Sequence, residues 1–438
     1  MNHLHFLQGV RRRETPSVPA LILMLVFAAA TPALAQETAL GTSVESLLDY
    51  AKARNPEYAA MRLEAEAARE RVYPAGALPD PVLRTELQNI TNYSPETGSG
   101  NLNVLPSRVG STKYTVMQSL PFWGKRDLKR EAAEAEADVA QGKAGITWTE
   151  QAARIKTTYA QYFAAARLVS LTKEIIDLID RIEGITQARY AGGLVPQQDA
   201  IRVQVERTAT RSELIQMETE SHHARSRLNG LLARPAQSAL AVPERLRPIP
   251  TVARLDYVAL EERLRGRNPS LFADDARIRA AEKNRDLTYR NRYPDFTLGI
   301  SPIQTRNSVD MWELMFELNI PLQQESRRSQ EREAEKMIEA SRARKEATAN
   351  QLLADLSENL AGINAARRVE TLAQTSLLPQ AELTFRAALA GYETGKVDFA
   401  TLLDAQRQIR KAKQDVIKAQ AEQQARLADI ERLIGEDL

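Results

Sequence analysis

Residues 168–200 read LVSLTKEIIDLIDRIEGITQARYAGGLVPQQDA. Leu168, Leu171, Ile175, Leu178, Ile182 and Ile185 follow one another at alternating steps of three and four, the spacing of a coiled-coil seam. A helix carrying that seam needs partner helices. Upstream, about seventy residues pass from Trp123 to Ala191 without a proline, and at 1.5 Å per residue an unbroken helix of that length reaches about 100 Å. At Gly192-Gly193 the chain is free to leave the helix, and Pro196 suits the first turn of the next. A return helix of roughly 37 residues to Leu232 is expected. Taken alone, this segment is compatible with a solvated coiled coil in a structural protein.

Outward from it, the chain begins with Arg11-Arg12-Arg13, an apolar run from Ala20 to Ala30, and Ala33-Leu34-Ala35 before Gln36. That order predicts a secretory leader, residues 1–35, cut after Ala35. Its removal takes away three Arg and one Glu, so the formal net charge of +2 falls to zero, which argues against nucleic acid as a partner. Beyond the leader no apolar run is long enough for a spanning helix. With no cysteine, disulfides, thiolate metal sites, a thiol nucleophile and a lipoprotein acyl anchor are excluded. A periplasmic, secreted or outer-membrane protein is expected.

From Ser43 to Arg71 the pattern is helical, with Asn55-Pro56 opening its main part. After Pro79-Asp80 the period changes to two: Leu83, Thr85 and Leu87 alternate with polar residues. A turn-rich stretch over residues 92–108 precedes a second alternating run, with Tyr114, Val116 and Leu120 on one side, which stops at Pro121 where the long helix begins. Residues 236–254, with Pro243, Pro248 and Pro250, read as a linker.

The same order then returns. Asn268-Pro269 answers Asn55-Pro56, Pro294-Asp295 answers Pro79-Asp80, Ile320-Pro321 answers Leu120-Pro121, and Tyr392-Glu393-Thr394-Gly395 answers Tyr190-Ala191-Gly192-Gly193. Residues 36–235 and 255–438 therefore read as two repeats of helix, strand, strand, long helix and return helix, with the second long helix interrupted at most by Pro379.

In residues 310–320, Trp312, Leu314, Phe316, Leu318 and Ile320 alternate with Met311, Glu313, Met315, Glu317 and Asn319. No amphipathic helix is left to cover such a face, because the helices are occupied along their own seams. Lipid outside and water inside account for the alternation, and strands of roughly 9–11 residues cross a bilayer. Four strands cannot close, and open edges do not survive in hydrocarbon. Three copies pooling twelve strands close around a water-filled hole. The fold class expected is mostly α with a membrane β-barrel: a long antiparallel coiled-coil tube plus four strands per chain, trimerised into a 12-stranded barrel. The acids Glu313 and Glu317 face the lumen and bias it toward cations.

These features, together with QSLPFWGKR (residues 118–126), RYAGGLVPQQDA (189–200) and GYETGKVDFATLLDAQ (391–406), resemble the TolC family of outer-membrane channels. The PFWGK segment and the Pro-Asp strand openings are similar to its heavy-metal branch, which serves cobalt-zinc-cadmium or copper-silver exporters. The resemblance implies a homotrimer in outer-membrane lipid whose periplasmic tube docks, through an adaptor (membrane fusion) protein, onto an inner-membrane pump of the resistance-nodulation-division type. It also implies that Gly193, Leu194, Val195 and Gly395 form the adaptor-docking tip and that Asp199, Tyr392 and Asp404 narrow the periplasmic aperture; helix capping and turn chemistry are the ordinary roles of the same residues. Drug-efflux relatives carry a basic residue two places after the second-turn glycine, where this chain has Val397 beside Lys396.

An enzyme is not expected, and no catalytic residue, cofactor or bound metal. His222 and His223 are adjacent on a helix and diverge, and neither a phosphate loop nor a nucleophile with its base is present. The alternatives are the same duct serving drug efflux or type I protein secretion, and a periplasmic coiled-coil structural protein without a pore.

Overall fold

Asn55 and Asn268, each ahead of a proline, hold two similar helix corners. The computed structural model describes residues 40–93, 100–102, 104–106 and 109–438; the expected leader, residues 1–35, and part of the turn-rich stretch lie outside them. At the first corner α1 (Val44–Arg54) gives way to α2 (Pro56–Glu70), followed by the short α3 (Val72–Gly76). Asn55 Oδ1 accepts the Tyr58 N–H at 3.0 Å while its Nδ2 donates to Leu231 O at 2.9 Å. At the second corner, between α6 (Tyr257–Arg267) and α7 (Pro269–Arg290), Asn268 caps Ser270 N and Leu271 N and donates to Leu433 O at 2.8 Å. Each asparagine thus supplies one helix start and satisfies a carbonyl near the C-terminal end of a long helix, which is why both are buried. Gly435 presses on the same corner: it has φ +75°, and a Cβ there would sit 2.7 Å from Arg267 O. Asn268→Ala is expected to cost about 1–3 kcal/mol, because it removes a cap and strands a buried carbonyl. Thermal unfolding of the detergent-solubilised protein checks this, with Asn268→Asp falling between the two; an unchanged midpoint contradicts it.

The strands follow: β1 (Val82–Gln88), a short hairpin of β2 (Thr91–Tyr93) and β3 (Gly100–Leu102), and β4 (Ser111–Leu120). Then α4 runs unbroken over Lys125–Ala191, 67 residues or about 100 Å, and α5 (Gln197–Leu231) returns. After α7 come β5 (Asp295–Thr305), β6 (Ser308–Asn319), α8 (Gln324–Leu372), α9 (Leu378–Glu393) and the return helix α10 (Phe399–Ile434). Between α8 and α9, Ala373–Leu377 form a π turn. Pro379 has no N–H and its ring would strike the carbonyl one turn back, so the widened turn lets the helix continue where a regular one would break. One strand is shorter than a full crossing: β1 has 7 residues and is followed by Asn89, whose φ of 55° turns the chain.

The helices lie alongside one another, with α4 packed against α2, α5, α7 and α10, and α8 against α7 and α10. Gly142 of α4 lets α7 approach closely, since a Cβ there would lie 2.7 Å from that of Ala273. The seam follows the expected spacing in part, with Ile179 fully buried where the spacing picks Leu178. Leu171, Ile175 and Ile182 are buried among Val203, Phe385, Phe399 and Leu402, with Leu168, Leu178 and Ile185 packed around them.

The expected linker, residues 236–254, is laid along the helical body. Its prolines prevent a regular ladder, and side chains from the helices serve its carbonyls: Asn229 reaches Ala236 O and Ser238 O, Arg167 reaches Glu244 O, and Arg367 reaches Pro250 O. Arg247 from this strap meets Glu431 of α10 at 2.9 Å, and Lys156 of α4 meets the same carboxylate at 2.6 Å.

Candidate functional site

The chain's two distinctive regions are the sheet and, one helix length away along α4, the tip. The sheet has order β1-β4-β5-β6, antiparallel throughout. Its registers set Leu298 opposite Phe316, Ile300 opposite Leu314, Pro302 opposite Trp312, and Leu83 opposite Val116, so these side chains share one face. That face is bare: Leu314 is 87% exposed, Trp312 and Phe316 65%, and Leu318 is also exposed, as is Ile320 just past the strand. The other face carries Lys113, Glu313 and Glu317 and is covered only at its middle. The hydroxyls of Thr115 and Ser301 bond at 2.9 Å, both buried, beside Met117. A globular sheet covers its apolar face; this sheet leaves it bare.

Glu313 and Glu317 stand on the face opposite the bare apolar one. The cation bias assigned to Glu313 is corrected by Lys113, whose Nζ lies 2.5 Å from the Glu313 carboxylate and matches its charge. Glu317 has no ion pair among the described residues.

Where the sheet meets the helices, the two sequence markers meet each other. Asp295 Oδ1 accepts the Phe122 N–H and the Lys125 ammonium, each at 2.8 Å, and Lys125 also donates to Tyr293 O. Phe122 stacks on Tyr293 with centroids 4.5 Å apart, Trp123 meets Phe296 edge-on, and Phe296 adjoins Phe316. An aromatic cluster at the foot of an apolar strand face, with Trp123 exposed, is the composition found at membrane–water interfaces.

At the far end, Gly193 (φ +70°) and Gly395 (φ +77°) take the left-handed conformation that ends α4 and α9. Leu194 N–H returns to Arg189 O at 2.8 Å, and Lys396 N–H to Gly391 O at 2.8 Å. Leu194 projects into solvent, while Val195 packs on the tip core. Val397 lies against Gly391, where a Cβ would come within 2.5 Å of it, so this position is filled by turn packing.

The expected aperture residues differ in their surroundings. Tyr392 is 2% exposed, its hydroxyl donating to Thr186 Oγ1 at 3.2 Å and its ring edge-on to Phe399. Burial pushes the pKa of that hydroxyl above its ordinary value. Asp199 is half-buried in the first turn of α5, and Asp404 is exposed beside Arg407 in a groove between α5 and α10.

Arg189 joins the two turns. Its guanidinium lies over the Tyr392 ring and donates to Tyr392 O and Glu393 O, the end of α9. The sequence does carry a signal for it: continuing the seam four places past Ile185 lands on Arg189, a charged residue on an inward position. Farther along, Arg407 reaches Glu206 and Arg410 reaches Glu213, tying the return helices together.

Among the described residues, no three His, Cys, Asp or Glu are grouped to hold a metal ion, and no helix is long and apolar enough to cross a membrane. His222 bonds to Arg225 and stands 6.5 Å from His223, ring to ring.

Comparisons with known proteins agree with this architecture. The model of the outer membrane efflux protein family matches residues 47–234 and 260–436. The cobalt-zinc-cadmium resistance protein CzcC of Cupriavidus metallidurans is 24% identical over 409 residues, 92% of each chain. Among solved structures, CusC superposes with a TM-score of 0.76 at 18% identity, covering 97% of this chain and 99% of that one. VceC of Vibrio cholerae gives 0.74 at 14% identity, covering 90% and 96%.

Proposed function

From the premise that this chain belongs to the outer membrane efflux protein family, we propose that it is the passive exit duct of a tripartite exporter of heavy-metal cations. The observation that carries the reading is the bare apolar face of a four-stranded sheet whose strands lead directly into helices about 100 Å long. Three copies pool their strands into a 12-stranded barrel in outer-membrane lipid, and their helices extend the bore into the periplasm. Gly193, Leu194, Val195 and Gly395 present the tip to a periplasmic adaptor, which couples the duct to an inner-membrane pump of the resistance-nodulation-division type. Asp199 and Asp404 border the opening, and Tyr392 sets its width from within by holding α9 against α4.

Metal cations as cargo are supported by the likeness to a cobalt-zinc-cadmium resistance protein over nearly the whole chain. The ions pass as substrate and are not retained. A strain lacking the gene is expected to lose tolerance to one or more of cobalt, zinc, cadmium, copper or silver while its tolerance to dyes and detergents is unchanged. Loss of dye tolerance with metal tolerance intact contradicts the cargo and leaves the duct.

A further inference from the structure

The sheet has two free edges, β1 and β6, and the chain's internal duplication specifies how they meet. Under the repeat, β1 corresponds to β5 and β4 to β6. Val82 and Thr297 each stand third after the proline of a Pro-Asp pair, and Met117 and Glu317 each stand fourth before the proline that ends their strand. The observed hairpins obey that correspondence: Val82 pairs with Met117, and Thr297 pairs with Glu317. The two hairpins are therefore in the same register, residue for residue.

A third pairing, β4 with β5, joins the repeats within one chain and sets Met117 opposite Gly299 and Gln118 opposite Leu298. Its counterpart is β6 with β1, and one chain cannot make it because these strands lie at opposite edges of the sheet. We propose that β6 of one copy pairs antiparallel with β1 of a second copy in the β4–β5 register, which places Glu317 directly opposite Arg84 across the seam. The proposal rests on the multi-copy barrel argued above.

Two observations independent of the duplication agree with it. The register puts Leu318 opposite Leu83 and Phe316 opposite Thr85, so the bare apolar face runs on across the seam. It also brings together opposite charges. Glu317 has no ion pair among the described residues, and Arg84 has only a 3.7 Å approach to Glu86, both exposed. A slip of two residues would set Arg84 against Met315 or Asn319, and a slip of one would turn the apolar face inward. With Glu317 facing Arg84 and Glu313 paired with Lys113, each acid on the inner face of β6 faces a cation, and Glu86, on the same face of β1, leaves one uncompensated negative charge per copy.

The natural chain contains no cysteine, so engineered pairs report cleanly. Residues directly opposite in antiparallel strands have Cα atoms about 4.5–5.5 Å apart, within disulfide reach, whereas diagonal neighbours stand about 7–8 Å apart. In membranes treated with a mild oxidant, Arg84→Cys/Glu317→Cys is expected to yield roughly tenfold more covalent oligomer than Arg84→Cys/Met315→Cys or Arg84→Cys/Asn319→Cys. As a second measurement, Arg84→Glu and Glu317→Arg should each lower the heat resistance of the oligomer, and the double exchange should restore it. Preferential cross-linking of a shifted pair overturns the register. Absence of cross-links in all three, with ion conduction intact, overturns the seam and leaves the duct; absence of both oligomer and conduction overturns the duct itself.

Discussion

Leu314→Arg is expected to abolish the heat-resistant oligomer and remove the protein from the outer-membrane fraction. Leu314 lies mid-strand in β6 between Trp312 and Phe316, on the face that none of the described residues covers, and is 87% exposed. A guanidinium placed near the middle of a bilayer on the lipid face of a barrel costs about 2–4 kcal/mol, and three copies together bear about 6–12 kcal/mol. That is comparable to the whole stability of many domains. Met315→Arg, one residue on and on the opposite face, meets water and is expected to assemble. The amount of unheated oligomer on a gel reads both. Assembly of the Leu314 variant together with failure of the Met315 variant would mean that the faces are assigned the wrong way round.

Glu431→Ala should be the most damaging single change in the helical body. The Glu431 carboxylate is buried and holds Lys156 at 2.6 Å and Arg247 at 2.9 Å, and it also accepts the Leu438 N–H at 3.1 Å. The Lys156 ammonium is itself buried and pairs with Asp437 as well. Removing the central acid strands a buried cation and frees the strap that Arg247 anchors, at an expected cost of about 3–5 kcal/mol. A Lys156→Met/Glu431→Leu double variant takes out both charges and should recover much of the loss, because a buried pair contributes less than its broken half costs. Thermal unfolding of the solubilised protein compares the two. A double variant no better than the single one contradicts this account.

Where periodicity was the governing term, residue order was enough to read the structure. The seam from Leu168 to Ile185, the alternating face from Trp312 to Leu318 and the paired Asn-Pro corners were all legible, because each is a short-range pattern repeated until chance becomes a poor explanation. What residue order did not disclose were single side chains acting over long sequence distances. Nothing local to Asn55 announces that its amide reaches Leu231 O, nor anything local to Lys125 that it meets Asp295, although both belong to motifs that stood out. Lys113, which neutralises Glu313, is 200 residues from it in sequence. The strap over residues 236–254 reads as loose because its prolines forbid regular structure, while its order comes from helix side chains that the stretch itself does not contain. Tyr392 was legible as a turn residue; its burial against Thr186 and Phe399 depended on how two hairpins pack. Arg189 lies between these cases, since the seam points to its position and the partners at the end of α9 do not follow from it.

The claim on which the rest depends is that the bare sheet face is turned to lipid and encloses water once copies combine. Ion conduction by the purified full-length protein in a planar lipid bilayer tests it most directly. Discrete, stepwise current increments, each tied to insertion of one detergent-stable oligomer, are the predicted result. A chain that stays monomeric in detergent-free buffer and passes no current at any voltage or pH would contradict it.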